Sequence, residues 1–223
     1  ILVTPRSVTR TQGHPSLQPI RDAGYEVVFS APGISPSEDD LLGLLPGCIG
    51  YLAGVEKISA QVLDAASGLR VISRNGTGVD SIDLDAARRN GIEVCRALGA
   101  NARGVAELTL GLILGLIRSI PYSDAAMKTR SWARREGIEV AGRTLGLIGC
   151  GVVGKCVARF ALAFDMNVVA CDPYPDGSFR PSARFCYGTM DELLEQSDII
   201  SLHCPPTTDG RALIDATMIG RMK

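Results

Sequence analysis

The sequence predicts an α/β protein whose sheets are parallel, and three observations carry that expectation. Along the first hundred residues, short apolar runs of strand length alternate with segments of helical periodicity, and repeated alternation of this kind implies crossover connections between parallel strands. A second alternation occupies residues 144–172, where strand, glycine-rich turn, helix and strand follow one another. With 223 residues, 46% of them hydrophobic and 21% charged, the chain has material for one large or two small domains. The change of character near residue 98 divides it into 1–98 and 99–223.

The elements can be justified in order. Residues 1–3, 26–29, 48–52, 71–73 and 93–95 are the expected strands of the first domain, with helices near 15–23, 38–45, 60–66 and 84–90. Ile1-Leu2-Val3 runs into polar residues without a charged leader, so it reads as a first strand rather than a signal peptide. Gly24, Gly68 and Gly91 fall where helices should stop. Residues 105–117 are apolar nearly all round, which predicts a helix buried on more than one side. Gly104, Gly111 and Gly115 lie close to one of its faces and would let a second helix approach; the helix is either central to one domain or shared between a domain boundary and a subunit interface, and for the second reading Trp132 suits an anchor into a partner. The most apolar part of this stretch, 108–117, is too short to span a bilayer. After Asp172, prolines and glycine at 173, 175, 177 and 181 make a loop, 190–196 reads as a helix, 199–202 as a strand and 215–222 as a last helix.

A net charge of -1 with interspersed signs gives no electrostatic case for nucleic acid or an anionic membrane as partner. The seven cysteines are odd in number and form no C-x-x-C pair. They are expected to be reduced core thiols of a cytoplasmic protein, and no metal site is expected.

The motif in residues 144–172 is the most informative. Gly149-Cys150-Gly151-Val152-Val153-Gly154 supplies G-x-G-x-x-G after an apolar run, and Val153, Cys156, Val157, Phe160 and Phe164 recur at helical spacing behind it. Gly149 permits a sharp turn, Gly151 lets the backbone approach a pyrophosphate, and Gly154 allows helix to pack closely on strand. The helix start would then present unpaired N–H groups and a positive dipole end to phosphate. Asp172, at the end of the following strand, is placed to accept hydrogen bonds from ribose hydroxyls and would repel a 2′-phosphate. NAD is therefore the expected cofactor.

Several stretches together resemble one family. Arg74-Asn75-Gly76-Thr77-Gly78-Val79-Asp80, Asn101 with Val105-Ala106-Glu107, the glycine turn, and Ser201-Leu202-His203-Cys204-Pro205 with Met222-Lys223 occur in the order found in D-isomer-specific 2-hydroxyacid dehydrogenases. The chain is similar to the phosphoglycerate dehydrogenase branch. The resemblance implies two Rossmann-like or flavodoxin-like domains with parallel sheets, the C-terminal part of the nucleotide domain falling outside this chain. It also implies reduction of a small 2-oxo acid, or the reverse, with NAD, in a homodimer paired through the helix around 105–117. Asn75, Gly76, Thr77 and Gly78 would hold the substrate carboxylate, which suits the anion nest that a glycine-rich turn makes. Thr77 would also lie near the nicotinamide, and Asn101 near the substrate. Val152 and Val153 would meet the pyrophosphate, and His203, Cys204 and Pro205 would line the nucleoside side. An NAD-sensing corepressor on the same fold is the runner-up.

Two departures qualify the resemblance. The arginine, carboxylate and histidine that perform the family's chemistry follow the Met-Lys pair that here stands at 222–223, so no catalytic residue is expected within the chain; His14 does not match that histidine. The arginine that helps hold phosphate after the third strand is replaced by Ala53, with Lys57 and Arg74 as the remaining candidates.

Overall fold

The computed structural model describes every residue except Gln12, Gly13, Thr208 and Asp209. The chain packs as two units, Ile1–Asn101 and Ala102–Lys223. The division falls at the start of a long helix, a few residues after the 98/99 boundary expected from sequence.

The first unit runs β1 (Leu2–Val3), α1 (Arg6–Thr9), a 3-10 turn (Pro15–Leu17), α2 (Gln18–Asp22), β2 (Val28–Phe29), α3 (Glu38–Leu44), β3 (Gly50–Ala53), α4 (Ala60–Ala65), β4 (Val71–Arg74), α5 (Leu84–Arg89) and β5 (Glu93–Arg96). Its five strands are parallel in the order β2-β1-β3-β4-β5, the flavodoxin-like winding in which the chain reverses direction between β1 and β3. Leu2, Leu41, Leu45, Tyr51, Leu63 and Ile72 fill its core. Local chemistry sets the helix limits. Ser37 and Asp40 form a capping box at the start of α3, and the Asp83 carboxylate accepts from the Ala86 N–H at the start of α5. Gly24 and Gly91 end α2 and α5 with φ of +81° and +67°, a region open to glycine at little cost.

The second unit runs α6 (Ala102–Ile117), α7 (Ile120–Lys128), β6 (Thr144–Ile148), α8 (Val152–Ala163), β7 (Asn167–Cys171), β8 (Phe185–Tyr187), α9 (Met190–Gln196), β9 (Ile199–Leu202) and α10 (Ala216–Ile219). Its four strands are parallel in the order β8-β7-β6-β9, which is the first part of a dinucleotide-binding sheet wound outward from its central strand. Leu145, Leu147, Val157, Ala161, Met166 and Val168 bind α8 to the sheet.

Three expectations are corrected. The helix over 105–117 is not buried on more than one side: Ala102, Ala106 and Ile113 are its buried residues, while Leu108, Leu112 and Leu116 are 63%, 65% and 76% exposed. Helix α8 packs on its buried face, and among the described residues no hydrophobic cluster takes in Leu108, Leu112 and Leu116. The cysteines are free but not uniformly core thiols; Cys48 and Cys150 are buried, whereas Cys95 and Cys186 are exposed because β5 and β8 are edge strands. The last helix is shorter than 215–222, starting after Asp215, whose carboxylate accepts from the Met218 N–H. Helix α7 and strand β8 were not foreseen. Among the described residues no single helix is long and apolar enough to cross a membrane, and α6 and α7 are bent by 66°, at Ser119 with φ +53°.

Candidate functional site

The glycine turn stands at the carboxyl end of β6, where the chain passes to β7 on one side and to β9 on the other. A sheet that changes direction there leaves a crevice between its loops. Gly149 adopts φ +94°, and a Cβ on it would lie 2.7 Å from the His203 carbonyl. The turn is therefore in backbone contact with the exit from β9. A Cβ on Gly154 would lie 2.3 Å from the Gly149 oxygen, so the first turn of α8 rests on the glycine turn itself. Gly151, by contrast, faces open space.

No side chain caps α8. Ser37, Asp83, Thr189 and Asp215 cap α3, α5, α9 and α10, so the leading N–H groups of α8, those of Val152 and Val153 included, are left for an external acceptor. The open side of Gly151 is where that acceptor can approach, and an anion suits the positive end of the helix. The residues present thus fit a dinucleotide pyrophosphate.

Asp172 follows β7 on the same rim. One carboxylate oxygen accepts the Cys150 N–H at 2.7 Å and the other the Tyr174 N–H at 2.8 Å. These bonds fix the group while leaving each oxygen a free lone pair for a ribose hydroxyl. His203 donates its backbone N–H to Ile148 O at 2.7 Å, and its Nε2 lies 3.0 Å from Ser201 Oγ. Burial lowers its pKa, favouring the neutral imidazole. Cys204 is half-buried and Pro205 exposed.

Sequence reasoning missed Lys155. Its ammonium pairs with Asp176 at 2.6 Å and lies 5.5 Å from the centre of the Phe179 ring, tethering the loop after Asp172 to the first turn of α8. Lys155, with help from Ser178, holds the Asp176 carboxyl well below its ordinary pKa. The signal was a lysine directly after the last glycine of the motif.

In the first unit, residues 75–78 leave the carboxyl end of β4. The Asn75 N–H donates to Ala53 O at 2.9 Å and the Gly76 N–H to Arg74 O at 2.8 Å. Among the described residues the N–H groups of Thr77 and Gly78 have no protein acceptor. Gly76 has φ +153°, and a Cβ there would meet Arg74 Nη1 at 2.7 Å. The Thr77 hydroxyl lies 3.2 Å from Ala97 O and 3.4 Å from Asn101 Oδ1, so Thr77 and Asn101 do come together. Ala53 is fully buried at the end of β3, Lys57 pairs with Glu38 at 3.2 Å, and His14 accepts the Ser16 N–H at the start of the 3-10 turn.

Comparison with known proteins agrees with this geometry. Residues 110–223 match the sequence model described as the D-isomer specific 2-hydroxyacid dehydrogenase, NAD binding domain. The hydroxypyruvate reductase of Thermotoga maritima is 37% identical over 189 residues, covering 83% of this chain and 61% of that protein. The D-3-phosphoglycerate dehydrogenase of Methanocaldococcus jannaschii is 41% identical over 170 residues, covering 75% of this chain and 32% of its own length. The solved D-lactate dehydrogenase of Aquifex aeolicus, complexed with NAD and lactic acid, has a TM-score of 0.81 at 27% identity, over 100% of this chain and 66% of that one. The chain thus spans less than two thirds of the length of the two sequence relatives. An uncapped helix behind a G-x-G-x-x-G turn, a carboxylate fixed at the end of the next strand and the matched sequence model lead to one conclusion: the chain belongs to the D-isomer specific 2-hydroxyacid dehydrogenase family.

Proposed function

We propose that this chain forms the cofactor-binding and carboxylate-binding part of an NAD-dependent oxidoreductase that interconverts a small D-2-hydroxy acid and its 2-oxo acid. The observation that carries the reading is the uncapped start of α8 beside the open Gly151, with Asp172 fixed at the rim. When bound there, NAD supplies or accepts hydride. Val152 and Val153 donate to the pyrophosphate, Asp172 accepts from the ribose hydroxyls, and His203, Cys204 and Pro205 line the nucleoside side. The free N–H groups of Thr77 and Gly78 hold the substrate carboxylate, with Asn75, Gly76 and Asn101 shaping the turn around it. No residue of 1–223 is assigned to orienting or protonating the carbonyl. The thiols remain reduced in a cytoplasmic setting. The test is NADH oxidation by the whole protein with a panel of 2-oxo acids; no oxidation with any of them would sink the reading.

Asp172 sets cofactor choice. Asp172→Ala is expected to weaken NAD binding by about 1–3 kcal/mol through loss of charge-assisted hydrogen bonds, and the unmutated protein is expected to bind NAD far more tightly than NADP. Titration of both cofactors against both proteins checks this, and equal affinities in the unmutated protein contradict it.

The exposed face of α6 supports pairing with a second copy. Leu108, Leu112 and Leu116 follow one another at helical spacing, and burying a leucine side chain contributes about 1.5–3 kcal/mol. Leu112→Asp is expected to shift a dimer toward monomer, and Trp132→Ala to weaken it, as read by sedimentation. An unmutated protein that is monomeric at micromolar concentration contradicts the pairing.

A further inference from the structure

Between β7 and β8 the chain crosses from one parallel strand to the next through residues 172–184, which form no helix or strand. Crossovers of this kind are usually filled by a helix, whose internal hydrogen bonds hold the connection. A long connection without one stays ordered only where contacts pin it, because its residues otherwise keep their conformational freedom. This connection begins with Asp172, the carboxylate placed for the ribose hydroxyls, so what pins it bears on the cofactor.

The pins lie at the two ends of the stretch 172–179. At the first, Asp172 accepts the Cys150 N–H at 2.7 Å. At the second, the Lys155 ammonium meets one oxygen of Asp176 at 2.6 Å, while the other oxygen accepts the Ser178 N–H at 2.9 Å and its hydroxyl at 2.6 Å. The Phe179 N–H donates to Asp176 O at 3.0 Å, which closes the turn. The Phe179 ring is buried, edge-on to Phe185, with Lys155 Nζ 5.5 Å and Arg159 Cζ 5.2 Å from its centre. Lys155 and Arg159 are one turn apart on α8 and therefore share the face that clamps this ring. Between the pins, Pro173 and Pro175 fix their own φ, and the Tyr174 N–H donates to Asp172 at 2.8 Å. The Tyr174 side chain is 90% exposed, so no packing holds the middle of the stretch.

A lysine in the first turn of α8 could serve phosphate directly, but the positive end of the helix disfavours a cation there, and its ammonium is committed to Asp176. Were that bond cut, the peptide carrying the Tyr174 N–H would lose its fixed position and Asp172 one of its two restraints. The loop would then have to be ordered by the cofactor itself, which weakens binding.

We propose that Lys155 is a positioning residue of the cofactor site: through Asp176 it holds the loop that presents the Asp172 carboxylate to the ribose, and it thereby sets both cofactor affinity and the preference for NAD over NADP without touching the cofactor. This rests on the dehydrogenase reading above.

The test is calorimetric titration of the whole protein with NAD and NADP, beside thermal unfolding of each variant. Lys155→Met is expected to weaken NAD binding at least fivefold and to narrow the preference for NAD over NADP at least threefold. Lys155→Arg, which keeps the charge, is expected to bind NAD within about threefold of the unmutated protein. Asp176→Asn is expected to reproduce Lys155→Met and carries the test should that variant fail to fold. The double variant is expected to be no weaker than either single one, because both remove the same link. A Lys155→Met protein with a lowered midpoint but unchanged affinity and preference would leave the lysine only a structural part and overturn the proposal. So would Lys155→Arg as weak as Lys155→Met, or weakening by Lys155→Met with none by Asp176→Asn, the pattern of a direct phosphate contact. The two readings fail separately: absence of NADH oxidation with every 2-oxo acid sinks the dehydrogenase reading, whereas NAD binding that ignores Lys155 and Asp176 sinks this one.

Discussion

Replacing Gly154 with alanine is expected to destabilise the second unit by about 3 kcal/mol or more and to abolish measurable NAD binding. The added Cβ would stand 2.3 Å from the Gly149 oxygen and 3.2 Å from its carbonyl carbon. Both are backbone atoms, so no rotamer change relieves the clash. Nor can Gly149 move away freely: its N–H is bonded to Cys171 O at 2.8 Å, and its other side meets the His203–Cys204 peptide. The remaining response is for α8 to back away from the turn, which opens the contacts of Val157 and Ala161 with the sheet and moves the helix N–H groups off the phosphate position. Gly151→Ala separates the two effects. Its Cβ meets nothing in the protein, so the unfolding midpoint is expected to stay within about 2 °C, corresponding to a change of a few tenths of a kcal/mol, while NAD affinity falls because the methyl occupies the approach to Gly151. Thermal unfolding and NADH titration of both variants check this. A Gly154→Ala protein with the midpoint and affinity of the unmutated one would show that the turn does not pack as described.

How much of this was legible in the sequence depends on the range of the interaction. Helix α9 was readable to its ends because its determinants are local: Thr189 and Glu192 form a capping box, and Leu193 and Leu194 mark the buried face. Strand β8 was not readable, since three residues carry too little alternation. Its place depends on β7 beside it and on the edge-to-face contacts linking Phe179, Phe185 and Tyr187. Helix α6 shows the limit of composition. Its sequence over 105–117 is apolar nearly all round, yet which side is covered within the chain depends on α8, and the residues alone do not say so. The candidate site divides in the same way. The glycine turn and Asp172 sit within one continuous stretch, and each glycine has a single steric reason for being there. Arg6 and Arg10 belong to α1 and its end and Arg74 to β4, brought to one pocket because the segments that follow β1, β3 and β4 meet at one edge of the sheet. No spacing rule finds such a cluster.

A polypeptide of residues 1–223 is expected to reduce 2-oxo acids no faster than the uncatalysed background. Delivery of hydride to a carbonyl carbon needs the carbonyl held in line and a proton given to its oxygen. A positioned acid contributes about 10²–10⁴ in rate, and correct orientation about 7–11 kcal/mol of the barrier. Neither of the two histidines here is built for the first task. His14 Nδ1 lies 2.7 Å from Ser16 Oγ and receives the Ser16 N–H, so it caps a turn. His203 meets the Ser201 hydroxyl, and burial lowers its pKa, which is the wrong direction for an imidazole that must carry a proton at neutral pH. Among the described residues neither imidazole is paired with a carboxylate, whereas such a pair would raise proton affinity. His203→Asn in the longer protein makes the test decisive. As a cofactor-side contact, His203 should change the affinity for NADH and leave kcat within about threefold, whereas a residue acting only in the transition state lowers kcat and kcat/KM together. A hundredfold loss of kcat in that variant, or turnover by residues 1–223 near that of the longer protein, would make His203 the proton donor and overturn the assignment of catalysis to residues outside this stretch.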